Sequence, residues 1–228
     1  MADVRRFLYA HRVQEASFFL DPVRSPGHRA DFIERIPGVV TTTDKSETLA
    51  NLEPHHEKAA KALGFDRTYH AEQVHGSEVA VITPDSPRFT PGVDALLTSH
   101  PLLLGIHVAD CGALYLLDQV TGAIGLLHSG KKGTELNITA KTIEAMKENF
   151  GTDPAHLVAV LAPCIRPPHY EIDFASTIRE QALESGVLPE NYHDCGLCTA
   201  SDLNRFYSYR LEKGNTGRLL ALFGILPS

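Results

Sequence analysis

Apolar positions in this chain follow two rhythms. Leu102 to Val108, Ala113 to Leu117 and Ala123 to Leu127 are nearly unbroken apolar runs, as strands buried on both faces should be, and they predict one central sheet. Val79 to Ile82, Leu157 to Leu161 and the terminal Arg218 to Leu226 read as further strands, and Phe18-Phe-Leu20 as a short one. Phe32 to Val40 starts like a strand and ends in the turn signal Pro37-Gly38, with Arg35 near the strand end. Helical spacing governs other stretches. Between Asp44 and Gly64, Leu49, Leu52, His56, Ala59, Ala60 and Leu63 recur on one face and Gly64 supplies a stop. Leu136, Ala140, Ile143, Met146 and Phe150 form a stripe in a helix expected from about Thr134 to Phe150, while Ser176 to Ser185 and Asp202 to Leu211 complete the helical set. His55 and His56, adjacent in the first helix, point about a hundred degrees apart and read as helix-surface residues, not a ligand pair.

Strands alternating with three or four helices predict a mixed α/β layered fold. The 228 residues, 43% of them apolar, support a substantial core and are read as one domain spanning 1–228. A formal charge of −7 provides no basic field for duplex nucleic acid, so no nucleic-acid partner is expected; a small anion in a locally positive pocket remains compatible with it. Met1 to Ala10 lacks the apolar core of a signal peptide, and no later run approaches membrane-spanning length. The expectation is a cytoplasmic protein without a membrane partner, in which Cys111, Cys164, Cys195 and Cys198 stay reduced.

Candidate chemistry lies where the strand pattern breaks. His75 interrupts Gln73-Val-His-Gly76, Cys111 closes Ala109-Asp-Cys, and His128 ends the third apolar run. Two imidazoles and a thiolate suit a three-ligand metal site with a fourth position open, as in catalytic zinc. Their wide separation forms no short metal-binding pattern, and by spacing alone they are equally compatible with core or surface histidines and an inert cysteine. His107, alternating to the opposite face from Ile106, reads as a core histidine, or as one pointing to the site. Asp94 reads as a turn cap, or as a carboxylate orienting a histidine ligand. Gly130-Lys-Lys-Gly133 before a helix resembles an anion cradle, with Gly130 and Gly133 admitting backbone N–H groups and Lys131 and Lys132 adding charge; a solvated surface turn is the alternative. Arg35 could contact phosphate or ribose oxygens, or be a solvated surface cation. Three prolines extend Pro163 to Asp173, as a pocket wall or a connector. Cys195-Gly-Leu-Cys198 has no second cysteine pair to complete a zinc knuckle.

Gln73-Val-His-Gly76, Val93-Asp-Ala-Leu-Leu-Thr98, Ala109-Asp-Cys111, His128-x-Gly130-x-x-Gly-Thr134, Pro163-Cys-Ile165, Tyr170-Glu171 and Cys198-Thr199 through Gly217-Arg218 together resemble the YfiH or laccase-domain family. The similarity runs in order from about Arg35 to the C-terminus. It implies an α/β (α+β) fold, a layered sandwich of mixed sheets with flanking helices and metal at the sheet end, ligands His75, Cys111 and His128, and zinc-dependent purine nucleoside chemistry: phosphorolysis of adenosine or inosine to base and ribose 1-phosphate, with adenosine deamination as a second reaction. In that reading Arg35 and the 130–133 turn hold phosphate. Some motifs depart from the family pattern: Arg35-Ile-Pro-Gly-Val39 keeps only part of an Arg-x-Gly-Gly-Val, Lys131-Lys132 replaces Trp-Arg, Ala113 replaces a proline, and the stretch around Thr41 to Glu53 is shortened. A copper-dependent polyphenol oxidase, a Cys111–His128 hydrolase and a non-catalytic metal- and nucleoside-binding domain are the other classes considered. Oligomeric state stays open.

Overall fold

The computed structural model describes residues 18–227; the Met1 to Ala10 segment considered above lies outside them. Two mixed sheets face each other. One contains, in spatial order, β1 (His28–Ile33), β11 (Leu219–Ile225), β6 (Leu103–Val108), β2 (Thr68–Ala71) and β4 (Phe89–Thr90). The other runs β10 (Tyr192–Asp194), β9 (Leu157–Leu161), β7 (Gly112–Asp118), β8 (Ile124–Ser129), β5 (Ala95–Thr98) and β3 (Val79–Val81). Alternation along the strands sorts side chains into layers. Leu104, Ile106 and Val108 meet Ala113, Tyr115 and Leu117 between the sheets, whereas Leu114 and Leu116 face outward onto helices.

Helices cover both outer faces, giving four layers. α1 (Lys45–Ala62) packs Ala60 against Leu103, Leu220 and Leu222 on the first sheet. Its start is fixed by Asp44, whose side chain accepts from the backbone N–H of Ser46 and Glu47. On the second sheet, α3 (Ile138–Phe150) and α4 (Phe174–Glu184) bury Ile143, Met146 and Ile178 against Leu97, Leu127 and Leu161. The layered α/β fold expected from the pattern, and the sandwich of mixed sheets that the family resemblance implied, are the observed fold. No helix among the described residues is long and apolar enough to cross a membrane.

Several local expectations are corrected. The three apolar runs do not share a sheet: β6 belongs to the first and β7 and β8 to the second. The chain crosses between sheets at Ala109-Asp110-Cys111, where Asp110 adopts φ +86°, and a run buried on both faces carries no signal of which sheet it joins. Phe18–Val23 is a 3₁₀ turn. The helix expected from Thr134 begins earlier, as α2 (Lys131–Glu135), and breaks at Asn137, which is left-handed at φ +61° and separates it from α3.

Asp202 to Leu211 is a succession of turns. Asp202 caps a local turn through the N–H of Asn204, and Ser208 and Arg210 are drawn to Asp110 instead of into a helical ladder. Phe206 and Tyr207 are buried there. His56, expected on the helix surface, is buried, while His55 is exposed.

Candidate metal centre

Three loops at one end of the sandwich converge on the crossover between sheets. His75 follows β2 in a tight turn where Gln73 and His75 both have left-handed φ, near +63° and +60°. Backbone in that region is strained for residues with a Cβ and persists only where surroundings hold it. The holding group is Asp94. Its carboxylate accepts from the backbone N–H of Val74 (3.2 Å), His75 (3.0 Å) and Gly76 (2.7 Å). The same carboxylate takes Nδ1 of His128 at 2.8 Å. Asp94 is completely buried, so its charge depends on these donors. Burial alone would raise its pKa, but His128 and the backbone N–H groups lower it below the usual carboxylate value. The two sequence readings of Asp94, turn cap and histidine orienter, are one arrangement.

His128 is buried at the end of β8, and its engaged Nδ1 leaves Nε2 as the free ligand atom. Cys111 begins the return from the sheet crossover. Ligand atoms of His75, Cys111 and His128 all lie within 4.8 Å of one another. Burial would raise the Cys111 thiol, yet His128 and His75 beside it outweigh that and pull it well below an ordinary cysteine. Reciprocally, burial would lower the His128 pKa, but Cys111 and Asp94 beside it raise it above its ordinary value. A thiolate, two imidazoles and a carboxylate-oriented tautomer fit a divalent N/S-preferring ion with one position to spare.

Gly130 and Gly133 are explained by packing around these ligands. A Cβ on Gly130 would overlap Cys111 Sγ, and one on Gly133 would crowd the carbonyl of Gly76 at 3.3 Å. The 130–133 segment is thus the start of α2 set against the thiol and not an open loop.

A cavity of about 710 Å³ opens over the centre, a volume suited to a small molecule. His75, Cys111 and His128 lie in its wall. Lys131 and Lys132 line it and are exposed, Lys131 approaching Glu135 at 3.9 Å. Arg35 is not among its lining residues. The Arg35 guanidinium pairs with Glu212 at 2.7 Å, donates to the Phe206 carbonyl and lies over the Tyr207 ring. Sequence reading did not single out Lys45, Tyr209 and Lys213, and noted Arg218 only within the Gly217-Arg218 motif, not as a lining residue. They come from α1 and the C-terminal segment, so no local motif connects them to His75, Cys111 or His128. Tyr170, Phe174 and Ile165 supply an apolar side, as the proline-rich stretch allowed.

The profile of the family described as multi-copper polyphenol oxidoreductase laccase matches residues 38–177 and 171–226. The chain belongs to this family. Among its relatives in the laccase-domain family, a purine nucleoside phosphorylase of Deinococcus radiodurans is 34% identical over 210 residues, covering 80% of each chain. A purine nucleoside phosphorylase of Staphylococcus saprophyticus is 31% identical over 214 residues, covering 76% of this chain and 80% of its own. The fold matches the crystal structure of YlmD from Geobacillus stearothermophilus with TM-score 0.77 at 23% identity, over 91% of this chain and 94% of that one. YfiH of Bacillus licheniformis matches with TM-score 0.78 at 22% identity, over 90% and 98%.

Proposed function

We propose that this laccase-domain chain is a zinc-dependent purine nucleoside phosphorylase that converts adenosine or inosine, with phosphate, to free base and ribose 1-phosphate. The observation that carries the reading is the pairing of a three-ligand centre with a cavity that is aromatic in one part and cationic in another. Relatives named purine nucleoside phosphorylase support the same class.

His75, Cys111 and His128 would hold the ion, which when bound supplies Lewis acidity at an open tetrahedral position. Asp94 fixes the His128 ring and the 74–76 turn together, so two ligands keep their spacing. Tyr170, Phe174 and Ile165 offer a purine an apolar face that excludes water. Cations around the cavity stabilise the phosphate whose oxygen attacks ribose C1′ as the C1′–N9 bond breaks and its electron pair leaves with the base. Lys131 and Lys132 contribute at the exposed part of the wall. Arg35 acts indirectly, holding Glu212, which accepts from the N–H of Ser208 and the hydroxyl of Thr216. Deamination of adenosine to inosine is the second reaction proposed for this pocket, and it needs no phosphate.

The test is product analysis with adenosine and inosine, with and without phosphate, on protein whose zinc content is measured in parallel. Free base and ribose 1-phosphate should form only with phosphate, while inosine should form from adenosine in either condition. A folded protein carrying one zinc that releases base from no common purine nucleoside would overturn the phosphorylase reading.

A further inference from the structure

The cavity carries more positive charge than its exposed lysines account for. Lys45, Lys131, Lys132, Arg210, Lys213 and Arg218 line it, against Asp110 as the one lining carboxylate, in a chain of net charge −7. Two of these cations are matched locally. Arg210 reaches Glu171 at 3.0 Å and Lys131 approaches Glu135. Asp110 is already occupied, accepting from the Thr199 and Ser208 hydroxyls and the Arg210 backbone N–H. Lys45, Lys132, Lys213 and Arg218 have no carboxylate at ion-pair distance among the described residues, and of these Lys45 and Arg218 act on each other directly.

Sheet register places Arg218 next to the chemistry. The antiparallel ladder pairs Leu220 with His107 and Leu219 with Val108, so Arg218 falls beside Ala109, two residues from Cys111. One terminal nitrogen of its guanidinium donates to the carbonyls of Thr216 (3.2 Å) and Gly217 (2.8 Å), which anchors the half-buried side chain and leaves its other donors free. Lys45 and Arg218 are close enough that, after burial, their mutual repulsion is the main influence lowering the lysine's pKa.

The third wall is His107. Gln73 clamps its backbone, donating to the carbonyl at 2.6 Å and accepting from the N–H at 2.8 Å. The ring is 8% exposed, lines the cavity, and its Nε2 has no partner. Such an orphaned buried nitrogen is costly unless a ligand or water completes it. A neutral imidazole presenting an N–H can do so for an anion without adding a further positive charge to the wall.

We propose that Arg218, Lys45 and the Nε2–H of His107 form the oxyanion pocket of this site, taking the inorganic phosphate that attacks the ribose. The assignment rests on the phosphorylase reading for its role, and on the neighbouring unpaired Lys45 and Arg218 and the orphaned imidazole for its location. A guanidinium fork, an ammonium and a ring N–H can together satisfy several oxygens of a tetrahedral dianion. Arg35, committed to Glu212, is then not a phosphate ligand.

The experiment uses the full chain loaded with zinc. Phosphate binding is followed by calorimetry and by the phosphate-dependent rise in melting temperature, with chloride as control, for wild type, Arg218→Ala, Arg218→Lys, Lys45→Ala and His107→Phe. Where turnover is present, KM for phosphate and for nucleoside are measured separately. Arg218→Ala and Lys45→Ala should each weaken phosphate roughly ten- to a hundredfold, with zinc content and nucleoside KM little changed. Arg218→Lys should recover part of the loss, and His107→Phe should weaken phosphate without loosening zinc. Phosphate affinity unchanged in both Arg218→Ala and Lys45→Ala, with zinc retained, would overturn the proposal, and Lys45→Ala decides alone if Arg218→Ala does not fold. Wild-type phosphate binding that these variants abolish, without turnover of any nucleoside, would refute the phosphorylase reading and leave the oxyanion pocket standing.

Discussion

Asp94 Oδ1 accepts from Nδ1 of His128 at 2.8 Å and from the backbone N–H of His75 at 3.0 Å. One buried carboxylate thereby sets the ring of one ligand and the backbone of another. Asp94→Asn keeps the size of the side chain but removes its charge and presents an amide where two of its contacts need an acceptor. Zinc affinity should fall roughly ten- to a hundredfold, measured by competition with a chelator. Affinity equal to wild type would mean that the ligands are held by other contacts.

Gly130→Ala should disturb the same centre from the opposite wall. Its added Cβ would overlap Cys111 Sγ, so either the thiol or the start of α2 must move. The backbone at Gly130 is extended and tolerates alanine, which confines the effect to the thiol contact. Reduced zinc stoichiometry in a protein with wild-type circular dichroism is the expected result, read by elemental analysis.

Removing Arg35 tests whether it acts by positioning. Arg35→Ala leaves Glu212 without its cation in a mostly buried pair and should cost about 1–3 kcal/mol of stability. Arg35→Ala/Glu212→Gln should recover part of that loss in chemical denaturation, since no uncompensated charge remains. If Arg35 instead gripped phosphate, the double variant would recover stability but show a phosphate KM as poor as the single one.

A pH dependence follows from three histidines outside the metal centre. The His107 ring lies 5.0 Å from that of His70 and 5.4 Å from that of His56. Gly105 makes room for His70, whose ring atoms lie within 2.7 Å of where a Cβ would sit. Burial first, then neighbouring positive charge, lowers His56 to about 4 and His70 to about 3, and His107 well below its ordinary value. All three are neutral in the folded chain at neutral pH, while an unfolded chain protonates them near pH 6.5. Between about pH 6.5 and those depressed values the unfolded state binds more protons, so stability is full above pH 6.5 and declines as pH falls. Urea unfolding of metal-free protein should lose on the order of a few kcal/mol over that window, and His56→Leu should flatten the slope. An unchanged slope in that variant would show that His56 is not neutral in the fold.

The layered α/β fold was legible because the apolar runs of β6 to β9 and β11 and the helical stripes of α1 and α3 are long and periodic, and burial imposes such patterns directly on sequence. His75, Cys111 and His128 stood out as interruptions of strand-like runs, and the motifs around them resembled a known family. Their convergence could not be read from spacing. It depends on β6 and β7 belonging to different sheets, which is decided by the turn at Asp110 and by contacts with Thr199, Ser208 and Arg210 roughly a hundred residues away. Arg35 looked like a free cation because ion pairing with Glu212 is invisible in one dimension. Arg218 looked like the start of a strand, and only the ladder between β11 and β6 brings it beside Ala109. Sequence determined which segments are buried, because burial imposes composition and periodicity locally, and it offered candidate metal ligands through the motifs that resemble the family. Tertiary structure decided which charges are neutralised and which remain unpaired at the cavity, because electrostatic partners are chosen by distance in space and not along the chain.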